Sequence, residues 1–245
     1  MRDEDFQQQI AVCARALGTY GLGKQIGGHI SMRVPGEDAY WTNILDKTLD
    51  EMRPEDIVKL DFDGNMISKG VVSPGIDFHH GIYKLRPDVN AIVHTHGFWN
   101  TALASMNRPP VMRQNLCTYF YNRCAISPDD TISKIGPTLK DNIAILIPWH
   151  GAITVAPTLG RAAALMVTLE YVAELDVRLS ATDAAPMPED RCEELRELVE
   201  SADYLERTWH LMIRRARRAM EGPGAIDPFP IEDIEELTML PMTLA

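Results

Sequence analysis

Two apolar runs that each end in histidine and glycine constrain this chain most. The first is Ile92-Val93-His94-Thr95-His96-Gly97; the second is Ala144-Ile145-Leu146-Ile147-Pro148-Trp149-His150-Gly151. Short, nearly continuous apolar stretches of this kind predict buried strands. In a strand, residues two apart share a face, so His94 and His96 aim two imidazoles at one point. A histidine at such a place serves either as a hydrogen-bonded core residue or as a metal ligand. A third histidine in a matching strand-end context, His150, favours ligation. Three protein ligands leave positions open for water or substrate, which is the pattern of a catalytic site rather than a closed structural one.

The chain has 245 residues, 45% of them hydrophobic and 24% charged, enough for one large domain with a single core. A net charge of −11 with no basic block argues against a nucleic-acid partner. It leaves an anionic small molecule open, because a local pocket can be positive on an acidic protein. No uninterrupted apolar stretch approaches the length of about 18 residues needed to cross a bilayer, so no membrane partner is expected. Met1-Arg2-Asp3-Glu4-Asp5 lacks the basic-then-apolar pattern of a signal peptide. Cys13, Cys117, Cys124 and Cys192 have neither disulfide-scaffold nor metal-ligand spacing, which suits small buried thiols in a reducing cytoplasm.

Local patterns predict the elements. Asp3 can cap a helix whose apolar face is Phe6, Ile10, Cys13, Ala14 and Leu17, ended by Gly18 and Gly21. Strands are expected over 29–34, 39–43 and 57–61, then a turn at Asp63-Gly64-Asn65 into Met66-Ile67-Ser68. Ser73-Pro74 begins a helix over 77–85 that stops before Pro87. A buried strand over 91–96 and a helix around 99–105 follow. Residues 111–125 are expected to be strand-rich, with Tyr119 and Tyr121 alternating on a strand. A short helix over 131–141 and a strand over 144–148 come next. Long helices cover 159–179 and 189–220. No linker or internal repeat divides the chain, giving one domain over 1–220 and an acidic, Pro-rich tail over 221–245 that either lies loose or drapes over a neighbouring subunit.

Several segments now fall into one order: Gly27-Gly28-His29-Ile30-Ser31, Pro54-Glu55-Asp56-Ile57-Val58, Asp63-Gly64, Arg86-Pro87-Asp88-Val89, Val93-His94-Thr95-His96 and Trp149-His150-Gly151. Across roughly residues 5 to 180 this order and spacing resemble the class II aldolase/adducin family. The resemblance implies an α/β fold in three layers, αβα, with a central, mostly antiparallel sheet. It also implies one divalent metal held by His94, His96 and His150, and a homotetramer or higher homo-oligomer with active sites between subunits. Zinc or manganese is the expected ion, with iron or cobalt as alternatives, since three neutral imidazoles suit several metals.

Three departures from the sugar-phosphate aldolases of that family shape the functional expectation. Ser73-Pro74-Gly75-Ile76-Asp77 places Gly75 where those enzymes carry an acidic residue, with Asp77 on the neighbouring turn. Asn43-Ile44-Leu45-Asp46-Lys47-Thr48 replaces their phosphate loop, so a sugar phosphate is not expected. Gly28-His29 replaces a Gly-Asn pair and adds a titratable group near the expected metal. The motif is closest to members that decarboxylate hydroxylated aromatic or pyridine carboxylates.

Heterolytic C–C cleavage needs an electron sink, which a divalent ion on a substrate oxygen provides. Decarboxylation then needs only an acid to protonate carbon, not a base. The expected catalytic residues are His29, His79 and Tyr121, and Gly28, Ser31 and Ser73 are expected to contact a small-molecule carboxylate substrate. Arg113 or Lys47 would pair with that carboxylate or lie solvated at the surface. The alternatives are retro-aldol cleavage of a non-phosphorylated hydroxycarbonyl compound and a non-catalytic, adducin-like interaction protein.

Overall fold

The computed structural model describes residues 1–230; most of the tail, 231–245, lies outside the described residues. Seven strands form one sheet: β1 (His29–Arg33), β2 (Ala39–Asn43), β3 (Ile57–Asp61), β4 (Ala91–Thr95), β5 (Cys124–Ile126), β6 (Ala144–Ile147) and β7 (Gly151–Ala156). Their spatial order is β3-β2-β1-β4-β7-β6-β5. Each neighbouring pair is antiparallel except β5 with β6, so the sheet is mixed and mostly antiparallel, as expected.

Period-two alternation sends successive apolar side chains into two separate cores. Val93 and Leu146 enter the larger one, shared with α1 (Asp3–Gly18), α3 (Phe98–Ser105), α5 (Leu159–Leu179) and α7 (Tyr204–Glu221). Ile92, Ile145 and Ile153 enter the other, shared with α2 (Asp77–Leu85) and α4 (Ile132–Leu139). Helices on both faces of one sheet make the three-layer αβα arrangement. On the α2 face, one end of the sheet turns polar: His29 lies opposite His94 and Ser31 opposite Ile92 in the β1–β4 register.

Five local expectations need correction. Residues 111–125 are not strand-rich: Asn115–Phe120 is a 3-10 helix and only 124–126 joins the sheet. There, side chains satisfy the backbone locally, Gln114 accepting from the Leu116 N–H at 2.8 Å and Thr118 donating to the Asn115 carbonyl at 2.6 Å. Such bonds compete with a ladder. The helix expected over 189–220 is two, α6 (Glu189–Ser201) and α7, broken at Asp203, whose φ of 54° is left-handed.

Arg2 rather than Asp3 caps α1, its backbone N–H donating to the Asp5 carboxylate at 2.7 Å. Met66 makes only an isolated bridge to Leu60. Strand β7 follows directly on the His150 turn. The apolar pattern of Gly151–Ala156 could have revealed it, but no element was expected between the strand over 144–148 and the helix over 159–179. No helix of the described residues is long and apolar enough to cross a membrane. The four cysteines are free, Cys13, Cys117 and Cys192 among them buried.

Candidate metal centre and its histidine relay

His94 is the last residue but one of β4 and is fully buried, His96 follows one residue past the strand, and His150 sits in the turn joining β6 to β7. One ligand atom from each lies within 4.8 Å of the others. A carbonyl only accepts, so the 2.9 Å bond from His94 Nδ1 to the Ala152 carbonyl puts the proton on Nδ1 and leaves a lone pair on Nε2. That Nε2 lies 2.9 Å from His96 Nε2. Two nitrogens converging with one tautomer already fixed suit a borderline-soft divalent cation.

Backbone geometry sustains this convergence. Trp149 has φ 60°, which turns the chain sharply before His150. A Cβ on Gly151 would stand 2.4 Å from the Thr95 carbonyl oxygen, so the close approach of the two histidine-bearing segments requires glycine there. Glu170 of α5 accepts the Trp99 and Asn100 N–H groups at 3.0 and 2.9 Å, capping α3 just after His96-Gly97.

A second, wholly buried chain of polar groups leads away from the triad. His29 Nδ1 is 2.7 Å from His79 Nε2, His79 Nδ1 is 2.6 Å from Ser31 Oγ, and Ser31 Oγ is 2.7 Å from the Tyr83 hydroxyl. Every link joins groups able to donate or accept, so the hydrogens can order in either direction along it. The His29 ring also lies 4.6 Å, centroid to centroid, from that of His94. Its Nε2 is 3.2 Å from where a Cβ on Gly75 would be, so a side chain at that position would press on the nitrogen.

His29 and His79 thus meet beside the triad. Ser31 is fully buried between His79 and Tyr83, making it a link in the relay. Tyr83, overlooked in the sequence, lies four residues beyond His79 on α2, and that spacing was the available signal. Ser73 accepts the Gly75 N–H at 3.2 Å and caps the 3-10 turn Pro74–Ile76. Gly28 lines a cavity that also reaches His96.

Tyr121 is not brought to the histidines: it packs against the larger core, and its carbonyl accepts from Arg196 of α6. The expected carboxylate partners are neutralised within the fold. Arg113 pairs with Asp176 at 2.6 Å, and Lys47 with Asp56 at 2.7 Å.

Burial, then neighbouring histidines, hold His29, His79 and His94 well below the ordinary imidazole range; burial brings His96 down to about 4. These rings are therefore neutral in the fold at pH values where an unfolded histidine, near 6.5, already binds a proton. Unfolding then takes up protons, so stability is full above about 6.5 and declines as pH falls from there toward 4. In chelator-treated, metal-free protein the urea midpoint should be lower at about pH 5 than at about pH 7.5. Equal midpoints would contradict neutral buried imidazoles.

The class II aldolase and adducin N-terminal domain profile matches residues 8–177, and this protein belongs to that family. It is 32% identical over 192 residues to a 5-methylthioribulose-1-phosphate/5-deoxyribulose-1-phosphate aldolase of Rhodospirillum rubrum, covering 75% of this chain and 86% of that one. It is 28% identical over 194 residues to the decarboxylase NovR of Streptomyces niveus, covering 74% and 70%. Its fold matches an L-fuculose 1-phosphate aldolase of Glaciozyma antarctica with a TM-score of 0.81 at 22% identity, over 88% and 90% of the two chains.

Proposed function

We propose that this protein is a divalent-metal-dependent carbon–carbon lyase that decarboxylates a hydroxylated aromatic or heteroaromatic carboxylate. The observation that carries the proposal is the placement of His29. Its Nδ1 is engaged by His79, its ring lies 4.6 Å from that of His94, and Gly75 keeps a side chain off its Nε2. His94, His96 and His150 would hold the ion, zinc or manganese first, with iron or cobalt as alternatives. The ion supplies Lewis-acid polarisation of a substrate oxygen, worth several kcal/mol.

The chain's own residues supply the proton. His29 Nε2–H protonates the ring carbon that bears the carboxylate, which puts the ring in its keto form. The bond to the carboxyl carbon then breaks, carbon dioxide leaves, and the electron pair restores the aromatic ring with the negative charge on the substrate oxygen. Among the described residues, the ligating cluster contains histidines and no carboxylate, so the base that a retro-aldol step needs at a substrate hydroxyl is missing from it. A relative named as a decarboxylase supports the reaction, and one named as an aldolase keeps retro-aldol cleavage of a non-phosphorylated hydroxycarbonyl compound as the second reading.

The test is a screen of metal-loaded protein in deuterated water. The expected result is carbon dioxide release from an ortho-hydroxyaryl carboxylate, with one deuterium on the carbon that lost it. Cleavage of hydroxycarbonyl compounds with no turnover of any such acid would transfer the assignment to the aldolase reading. Protein with no metal and no turnover would favour an adducin-like interaction role. We further propose a homotetramer in a reducing cytoplasm, which a monomer mass by light scattering in active protein would refute.

A further inference from the structure

Beside the triad, His96 and His150 open onto a cavity of about 530 Å³ that Phe98 and Trp149 also line. That volume lies in the range of small-molecule sites. A second cavity of about 250 Å³ shares His96, Phe98 and Gln25 with the first and adds Lys24 and Gly28, so the two lie side by side at His96.

The aromatic residues here are unlike the others of their kind. Phe98 and Trp149 are 74% and 73% exposed, whereas the other five phenylalanines are buried in the two cores. Trp149 also adopts the left-handed backbone region, which large side chains rarely occupy. A strained residue presenting an indole to solvent next to a candidate ligand is a pattern found at binding sites. Lys24 adds a charge to match: it has no carboxylate or hydrogen-bond partner among the described residues, in contrast to the paired Arg113 and Lys47.

We propose that Phe98, Trp149 and Lys24 form the substrate-recognition subsite of the metal centre, selecting a planar aromatic monocarboxylate. The two rings flank the substrate ring, and the Lys24 ammonium takes its carboxylate. An aromatic ring gains offset or edge-to-face contact with both walls, which a saturated ring of the same size does not. One flexible ammonium suits a carboxylate, whereas a phosphate is usually gripped by backbone N–H groups or several cations. The proposal rests on the decarboxylase reading for its substrate class, yet it is a statement about binding and is tested as one.

Calorimetric titration of metal-loaded protein with benzoate and with cyclohexanecarboxylate isolates the ring, since both carry a single carboxylate and no other polar group. The expected result is about ten-fold tighter binding of the aromatic acid, equivalent to about 1.4 kcal/mol. Trp149→Leu keeps an apolar side chain and should remove most of that preference, with metal content unchanged. Lys24→Met should weaken both acids about three-fold and leave neutral 2-hydroxybenzamide unaffected.

Equal binding of the two acids by the unsubstituted protein overturns the proposal, as does an undiminished preference in Trp149→Leu. A change of assembly mass in that variant, with the preference retained, would show that the exposed rings are a subunit contact and equally overturn it. Aromatic preference with these variant effects but no carbon dioxide release would uphold the subsite and remove only the decarboxylation reading.

Discussion

His94→Ala protein should purify with metal reduced from about one ion per chain to background, and with no lyase turnover. His94 is the pivotal member of the triad because the fold has already set its tautomer. The Ala152 carbonyl, one strand away on β7, accepts a hydrogen bond from its Nδ1–H and leaves Nε2 to ligate. A ligand oriented in advance by a second contact contributes more than one free to rotate. The substitution also removes a buried hydrogen bond, at about 0.5–1.5 kcal/mol of stability, so circular dichroism must accompany the metal assay.

His80→Ala is the control: this half-buried ring lies outside the triad, 3.4 Å from the Tyr40 hydroxyl, and its loss should leave metal content intact. Stoichiometric metal in His94→Ala would remove the triad as the binding site.

The triad was legible in the sequence because two elementary periodicities converge on it. Alternation in β4 separates Val93 from Ile92 and His94, and the apolar run of β6 leads to a turn that carries His150. The relay was legible only in part. His29 and His79 stood out as histidines near the expected metal, but their bond spans fifty positions of sequence and depends on the packing of α2 over β1. Ser31 and Tyr83 carry no signal of their own: a strand serine and a helix tyrosine are common, and only the register that stacks α2 over β1 joins them to His79.

Tyr121 was misplaced for a related reason. Aromatic alternation in 119–121 imitates a strand, while Gln114 and Thr118 bond the local backbone into a 3-10 turn that presents Tyr119 to α6, where its hydroxyl donates to the Val199 carbonyl at 2.9 Å. Lys24 and Phe98 escaped notice, and Trp149 entered only as the neighbour of His150, because exposure, not residue type, distinguishes them.

His29→Phe should retain its metal and lose about 2 to 4 orders of magnitude in kcat, the usual contribution of a positioned proton donor. In the free protein burial keeps this ring neutral. A neutral imidazole is a poor acid, so the proton must arrive with the substrate. The anionic carboxylate entering beside His29 opposes the burial effect and favours the imidazolium.

The relay is built to accept that change. The Nδ1–H of a charged His29 donates to His79 Nε2, His79 Nδ1–H donates to Ser31 Oγ, and the Ser31 hydroxyl donates to the Tyr83 oxygen, leaving Nε2–H on the side that Gly75 keeps free of a side chain. Tyr83→Phe removes the terminal acceptor without touching the triad. It should lower kcat by about ten-fold, about 1.4 kcal/mol, with metal content and substrate affinity little altered. The ordering of effects is the discriminating feature, since a purely structural relay would lower stability in both variants without separating kcat from KM. If His29→Phe turns over at the unsubstituted rate in deuterated water and still places deuterium on the ring carbon, the proton comes from elsewhere and His29 is not the donor.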